Sequence, residues 1–201
     1  MKAKKNRRER SPQMKQVSAG LRDVLGISEW RKEHPKATFR EIEAAVDERV
    51  NQLRAQLIED VVQMGETEEW SQKKEEERPN CASCGQPLLA RGERTRYLQT
   101  SGGEAIKLKR TYGTCPECGE GFFPLDEELG LLGGGMTPRA EEVLVRLASW
   151  MPFTRARELL EELVGVQVSL ATARRATLGA GAAALAVQEE EAKRLKQELP
   201  E

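Results

Sequence analysis

Cys81, Cys84, Cys115 and Cys118 are the residues of this chain best suited to chemistry, and they are its only cysteines. They form two pairs, Cys81-Ala-Ser-Cys84-Gly85 and Cys115-Pro-Glu-Cys118-Gly119, separated by the thirty residues from Gly85 to Thr114. Two thiolates spaced by two residues can grip one side of a tetrahedral ion, at roughly 2.3 Å per sulfur. Two such grips facing each other close a four-sulfur site. Gly85 and Gly119 suit turns whose backbone takes a positive φ and aims its amides at the sulfurs.

Disulfides are the rival use of the same four sulfurs. The chain opens with Met and a basic tail, and it contains neither a signal-like apolar run nor one of membrane-spanning length. A reducing cytoplasm is therefore expected, where this spacing favours a metal. Zinc is the first choice of ion. A rubredoxin-like iron centre is the lesser alternative, because the chain is poor in aromatic residues that would shield a redox site. With sulfur at every position the zinc would be structural, since a catalytic zinc keeps a position open for water.

The elements that position these pairs follow from pattern. Nearly a third of the residues are charged, so several small modules are expected in place of one large core. The predicted class is mainly α with a small β zinc ribbon. Net charge is near zero, but residues 1–11 form a basic tail, with Lys2, Lys4, Lys5, Arg7, Arg8 and Arg10 against Glu9. Such an arm suits phosphates or plain solvation equally. Residues 12–78 read as a helical region: a weak helix to Trp30 (Val17, Leu21, Val24, Leu25), a break at His34-Pro35, then a capping box at Thr38-Phe-Arg-Glu41. Phe39, Ile42, Val46, Val50, Leu53, Leu57, Val61 and Met64 predict one apolar stripe, to be covered from within the chain or by a second copy. His34, the single histidine, reads as a loop residue. The acidic stretch from Glu66 to Arg78, with Trp70, reads as a solvated extension or linker.

Residues 79–130 predict the ribbon itself. Two strands, 94–100 and 104–112, flank the turn Ser101-Gly102-Gly103, and a hairpin between two cysteine knuckles is the plan of a zinc ribbon. Arg94, Arg96, Lys107, Lys109 and Arg110 predict a basic sheet surface able to lie on phosphates. After a glycine-rich joint at 131–135, residues 136–181 predict three helices. Thr137-Pro138 opens the first (Leu144, Leu147, Ala148, Met151 inward); the second buries Ala156, Leu159, Leu160 and Leu163. Ser169 caps the third, with Leu170, Ala173 and Leu178 inward. Three helices with a tight Gly165 turn describe a tri-helical helix-turn-helix. The third helix carries Arg174 and Arg175 and no acid, whereas the second carries Glu158, Glu161 and Glu162. The sign pattern nominates the third helix for double-stranded DNA, with Ser169, Ala171, Thr172, Arg174 and Arg175 outward, beside Lys107, Lys109 and Arg110 of the sheet. Residues 182–201 read as an exposed helix or linker.

These residues together resemble the N-terminal half of a bacterial insertion-sequence transposase of the Kra type. The likeness is carried by the Cys81 to Gly85 knuckle with Leu88-Leu89, Arg110-Thr-Tyr112 before Cys115-Pro-Glu-Cys118-Gly119, Phe122-Phe-Pro-Leu-Asp126, and the run from Phe153 to Ser169. It covers about residues 35 to 185. The resemblance implies a helical lead, a zinc ribbon and a helix-turn-helix that bind element ends, followed by a nuclease-like domain with metal-bound carboxylates. Asp23, Asp47, Asp60 and Asp126 are the only aspartates, and no run of buried strands gathers them. Two-metal phosphoryl transfer needs converging carboxylates, so no catalysis by this chain alone is expected. Ala171-Thr-Ala-Arg-Arg departs from the family pattern, which has a bulkier residue after that threonine. The expected function is a zinc-containing, nucleoid-associated DNA-binding protein, a transposase fragment or derivative, possible as a homodimer. The alternatives are a protein-interaction scaffold built on the ribbon and long helix, and a nuclease completed by a partner subunit.

Overall fold

The computed structural model describes residues 20–65, 70–131 and 133–198. The basic tail, the first part of the helix expected from residue 12 (with Val17), residues 66–69, Leu132 of the joint and residues 199–201 lie outside the described residues. The fold mixes helices with one small antiparallel sheet, and two compact units divide within a helix, Met1–Leu53 and Arg54–Glu201. No described helix is long and apolar enough to cross a membrane.

In the first unit, the weak helix predicted to Trp30 breaks at Gly26, whose φ of 64° is left-handed, and restarts as α1 (Ile27–Glu33). His34 ends α1 by stacking on Trp30 at 4.7 Å while its Nδ1 donates to the Trp30 carbonyl at 2.9 Å. It is a capping residue at the helix C-terminus. α2 (Phe39–Val62) opens on the expected capping box. Glu41 accepts from the Thr38 amide and hydroxyl at 2.6 and 2.7 Å, and these bonds hold its carboxyl below the usual range.

The predicted stripe of α2 is not the face that packs in the second unit. Ala55, Ile58 and Val62 lie against the sheet, while Leu57, Val61 and Met64 are exposed. The small Ala55 side chain lets the helix come close, and its polar neighbours then satisfy the sheet edge. Arg54 donates to the Ser101 carbonyl, and Glu59 accepts the Lys107 amide at 2.7 Å. An open strand edge is thereby covered.

That sheet has the order β1-β2-β3, with β1 (Leu89–Gln99), β2 (Ala105–Thr114) and β3 (Gly121–Phe122). The β1-β2 hairpin begins earlier than its sequence pattern implied, because a bulge between Ala90 and Glu93 at Gly92 (φ 101°) carries the pairing back to Leu89. Inward residues alternate along β2, and Leu98, Ile106 and Leu108 meet Leu125 of α3 (Pro124–Glu128) and Ala55 of α2 in one core.

A second core joins α4 (Pro138–Trp150), α5 (Phe153–Val164) and α6 (Leu170–Glu198) through Met136, Ala140, Leu144, Ala156, Leu160, Val166 and Ala173. Leu163, Leu170 and Leu178, expected inward, are exposed. Val166 of the α5–α6 turn is buried in this core. α6 also runs unbroken through Gly179 and Gly181.

Ribbon and helices belong to one unit, and the glycine-rich joint is strapped to the sheet. Gln99 donates its amide to the Gly135 carbonyl at 2.8 Å, and Arg96 reaches the Gly134 carbonyl at 2.7 Å. The hairpin turn meets the α5–α6 turn backbone to backbone: Gly102 donates to Val164 at 2.8 Å, and Gln99 exchanges two side-chain bonds with Gln167. A Cβ on Gly165 would stand 3.0 Å from the Gly103 nitrogen, at a residue whose φ is already 73°. Gly165→Val is therefore expected to destabilise the protein by about 2–4 kcal/mol, combining left-handed strain with the clash. Urea denaturation checks this, and a loss below about 0.5 kcal/mol would mean that the two turns do not depend on each other.

Candidate metal centre

Each knuckle is built from its own backbone bonds. In the first, the Cys81 amide donates to the Gln86 carbonyl at 2.8 Å and the Gly85 amide returns to the Cys81 carbonyl at 2.8 Å. The second repeats the plan, Cys115 to Glu120 at 2.7 Å and Gly119 to Cys115 at 3.1 Å. Gly85 and Gly119 take φ of 74° and 73°, as their position after each pair required. The thirty residues between return the chain through the hairpin, so that β2 delivers Cys115 beside Cys81.

All four sulfurs lie within 4.8 Å of one another. Three of the separations are 3.3 Å (Cys84–Cys115), 3.6 Å (Cys81–Cys118) and 3.9 Å (Cys84–Cys118). A regular tetrahedron of sulfurs about 2.3 Å from a centre has edges of about 3.8 Å, so the donor set fits one metal ion. No two sulfurs are joined as cystine. Two of the cysteines, Cys81 and Cys115, are buried, and Cys84 and Cys118 are exposed. The Ser83 hydroxyl donates to the Glu120 carboxylate, bridging one knuckle to the other on the outer side.

Four thiols this close cannot ionise independently. For Cys84 the Gln86 amide favours the thiolate, but the sulfur of Cys115, loss of solvent and the sulfurs of Cys81 and Cys118 oppose it, and the thiol is pushed up to about 12. Cys115 is drawn down to about 7, first by the Cys118 amide and further by the Cys84 sulfur. For Cys118 the Glu120 amide acts downward, yet the Cys115 sulfur and burial raise it overall. A metal must therefore displace the protons that Cys84 and Cys118, both raised, hold at neutral pH. Metal affinity should therefore rise with pH from about 7 upward and fall below it, where Cys115 also gains its proton. Calorimetric titration in buffers of different ionisation enthalpy would show protons released on binding; uptake without release would contradict the arrangement.

Behind the sulfurs lies a residue whose place its sequence neighbourhood hid. Trp70, expected on a solvated stretch, is fully buried with Leu88 against Cys81 and Cys115. Gly113 makes room for it: a Cβ there would meet the indole at 3.1 Å and Leu88 at 3.0 Å. Trp70 sits among charges in the sequence, so only its bulk and apolarity could have signalled burial.

The candidate DNA-contacting residues fall into three groups. Lys107 and Lys109 are exposed on β2, and Ser169, Ala171, Arg174 and Arg175 are exposed on the first two turns of α6 or at its cap. Among the described residues neither Arg174 nor Arg175 is ion-paired. Thr172 is half-buried, and its hydroxyl and amide are engaged by Ser169 Oγ at 2.9 and 3.0 Å, so Ser169 serves as the helix cap. Arg110 is not on the surface. Alternation along β2 turns it inward with Ile106 and Leu108, 8% exposed, where it pairs with Asp126 and lies 3.8 Å over the Phe123 ring. Arg96 shares the same Asp126 oxygen at 2.9 Å, so this part of the expected basic surface is an internal ion cluster.

Comparison with family models, with curated proteins and with solved structures finds no match to this chain.

Proposed function

We propose that this chain is a zinc-stapled double-stranded-DNA-binding protein, a transposase-like fragment or derivative that recognises element ends without catalysing their cleavage. The observation that carries the reading is the first half of α6. It presents Ser169, Arg174 and Arg175 outward with no acid before Glu189, on a helix seated in a three-helix core against the cysteine ribbon. In this reading α5 and α6 are the paired helices of a helix-turn-helix, and α6 enters the major groove. Cys81, Cys84, Cys115 and Cys118 hold zinc in a closed, structural site. Lys107 and Lys109 supply a second, sequence-independent contact to phosphate. The exposed Leu57, Val61 and Met64 face of α2 favours a second reading, a protein-interaction scaffold.

Binding of the zinc-loaded protein to labelled duplex at low salt tests the proposal. Arg174→Ala/Arg175→Ala should weaken binding by roughly tenfold or more and reduce the salt slope by about 2 if both residues neutralise phosphates. Absence of binding to any duplex at low salt, together with self-association or capture of a protein partner, would leave the scaffold reading in its place.

A further inference from the structure

α6 continues well past the core it helps to build. Every residue from 181 to 197 is exposed, and the helix persists through Gly179 and Gly181. Two glycines in a solvated helix disfavour it by more than the three i,i+4 pairs available, Glu189 with Lys193, Glu190 with Arg194 and Arg194 with Glu198, return. A helix of this length with no packed face is marginal by itself.

The exposed leucines of this segment repeat with a period that fits a partner. Leu178, Leu185 and Ala192 are seven residues apart, and Leu195 follows Ala192 by three. Leu178, Leu185 and Leu195 are 55%, 56% and 49% exposed, large values for leucines on one seam. In that register Leu178, Leu185 and Ala192 take the first core position, with Gly181, Gln188 and Leu195 at the second. The flanking positions then place Glu191 ahead of the seam and Lys196 five residues on, the spacing at which opposite charges on two parallel helices meet. The antiparallel arrangement that pairs Leu178 with Leu195 would set Glu191 against Ala184, leaving its charge unmet.

We propose that α6 from Leu178 onward forms a parallel two-stranded coiled coil with a second copy of this chain, sealed by Leu178, Leu185 and Leu195 and set in register by Glu191 against Lys196 of the other copy. The inference stands apart from DNA binding. If that reading also holds, two α6 helices present their first turns together from one dimer.

Sedimentation of the full, metal-loaded chain without DNA tests it. The wild type should be a dimer, and Leu185→Glu should weaken self-association by roughly 100-fold, because two carboxylates would be forced into an apolar seam. Unchanged metal content in that variant separates this loss from misfolding. Glu191→Lys should weaken the dimer, and Glu191→Lys/Lys196→Glu should restore it. A monomeric wild type, a dimer untouched by Leu185→Glu, a dimer lost instead with Leu57→Glu on α2, or failure of the charge exchange to restore association would each overturn the proposal.

Discussion

Removing the proposed zinc is expected to unfold the ribbon while leaving much of the helical signal in place. The core behind the sulfurs contains little besides Trp70 and Leu88, with Ala90 and Phe122 at its rim, too small a cluster to hold two knuckles and a hairpin end together unaided. Four-sulfur zinc sites supply an apparent binding free energy on the order of 10–16 kcal/mol at neutral pH, which becomes folding free energy where no site exists in the unfolded chain. The helices α4 to α6 have their own core around Leu144 and Leu160, which contains none of the sulfurs. Chelation should accordingly shift Trp70 emission to longer wavelength and expose the amides of β2 to exchange, with a smaller change in helical dichroism. Cys115→Ser should give the same result without a chelator. Emission and exchange unaffected by chelation would contradict it.

Truncation of Asp126 should be the most damaging single change outside the sulfurs. Its carboxylate holds Arg96 and Arg110, whose side chains are 14% and 10% exposed, so Asp126→Ala takes the ion-pair partner from the buried Arg110 guanidinium and one of the contacts of Arg96. Breaking a buried ion cluster from one side costs about 3–5 kcal/mol, much more than the intact cluster contributes relative to an apolar replacement. Asp126→Asn retains an acceptor and should lose less. The loss should also reach the joint, because Arg96 spans from Asp126 to the Gly134 carbonyl. Chemical denaturation of the metal-loaded protein measures it; a loss under about 1 kcal/mol would mean that Arg110 and Arg96 find water instead.

What could be read directly from the sequence was local. Cysteine spacing with a following glycine specifies a knuckle within six residues, and both knuckles have the expected turns. The hairpin around Gly102, the capping box at Thr38 and the helix cap at Ser169 were legible for the same reason. What escaped depended on contacts distant in the chain. Trp70 is buried because Gly113, forty-three residues on, leaves space for its ring. Arg110 occupies a core position in the β2 alternation, and charge alone argued for the surface; Asp126 sixteen residues later made the inward position tolerable. On α2 the larger residues drew the predicted stripe, yet the sheet selected Ala55 and its neighbours, where the backbone could approach closely. The third helix and the exposed helix expected beyond Gly181 are one continuous helix through Gly179 and Gly181. The dependence of the Gly165 turn on Gly103 was invisible in either stretch alone.

The functional reading joins one chemical site to one surface. The sulfurs fix the end of β2, the opposite end of that hairpin docks on the α5–α6 turn, and this turn sets the start of α6, where Ser169, Arg174 and Arg175 lie. Loss of the metal should thus reach the proposed DNA-binding surface through the hairpin, without any direct contact between ion and duplex. X-ray absorption at the metal edge of the purified protein tests the basis of this chain most directly. The account predicts one zinc per chain with four sulfur neighbours at about 2.3 Å; cystine sulfurs with no stoichiometric metal, or oxygen and nitrogen in the coordination shell, would contradict it.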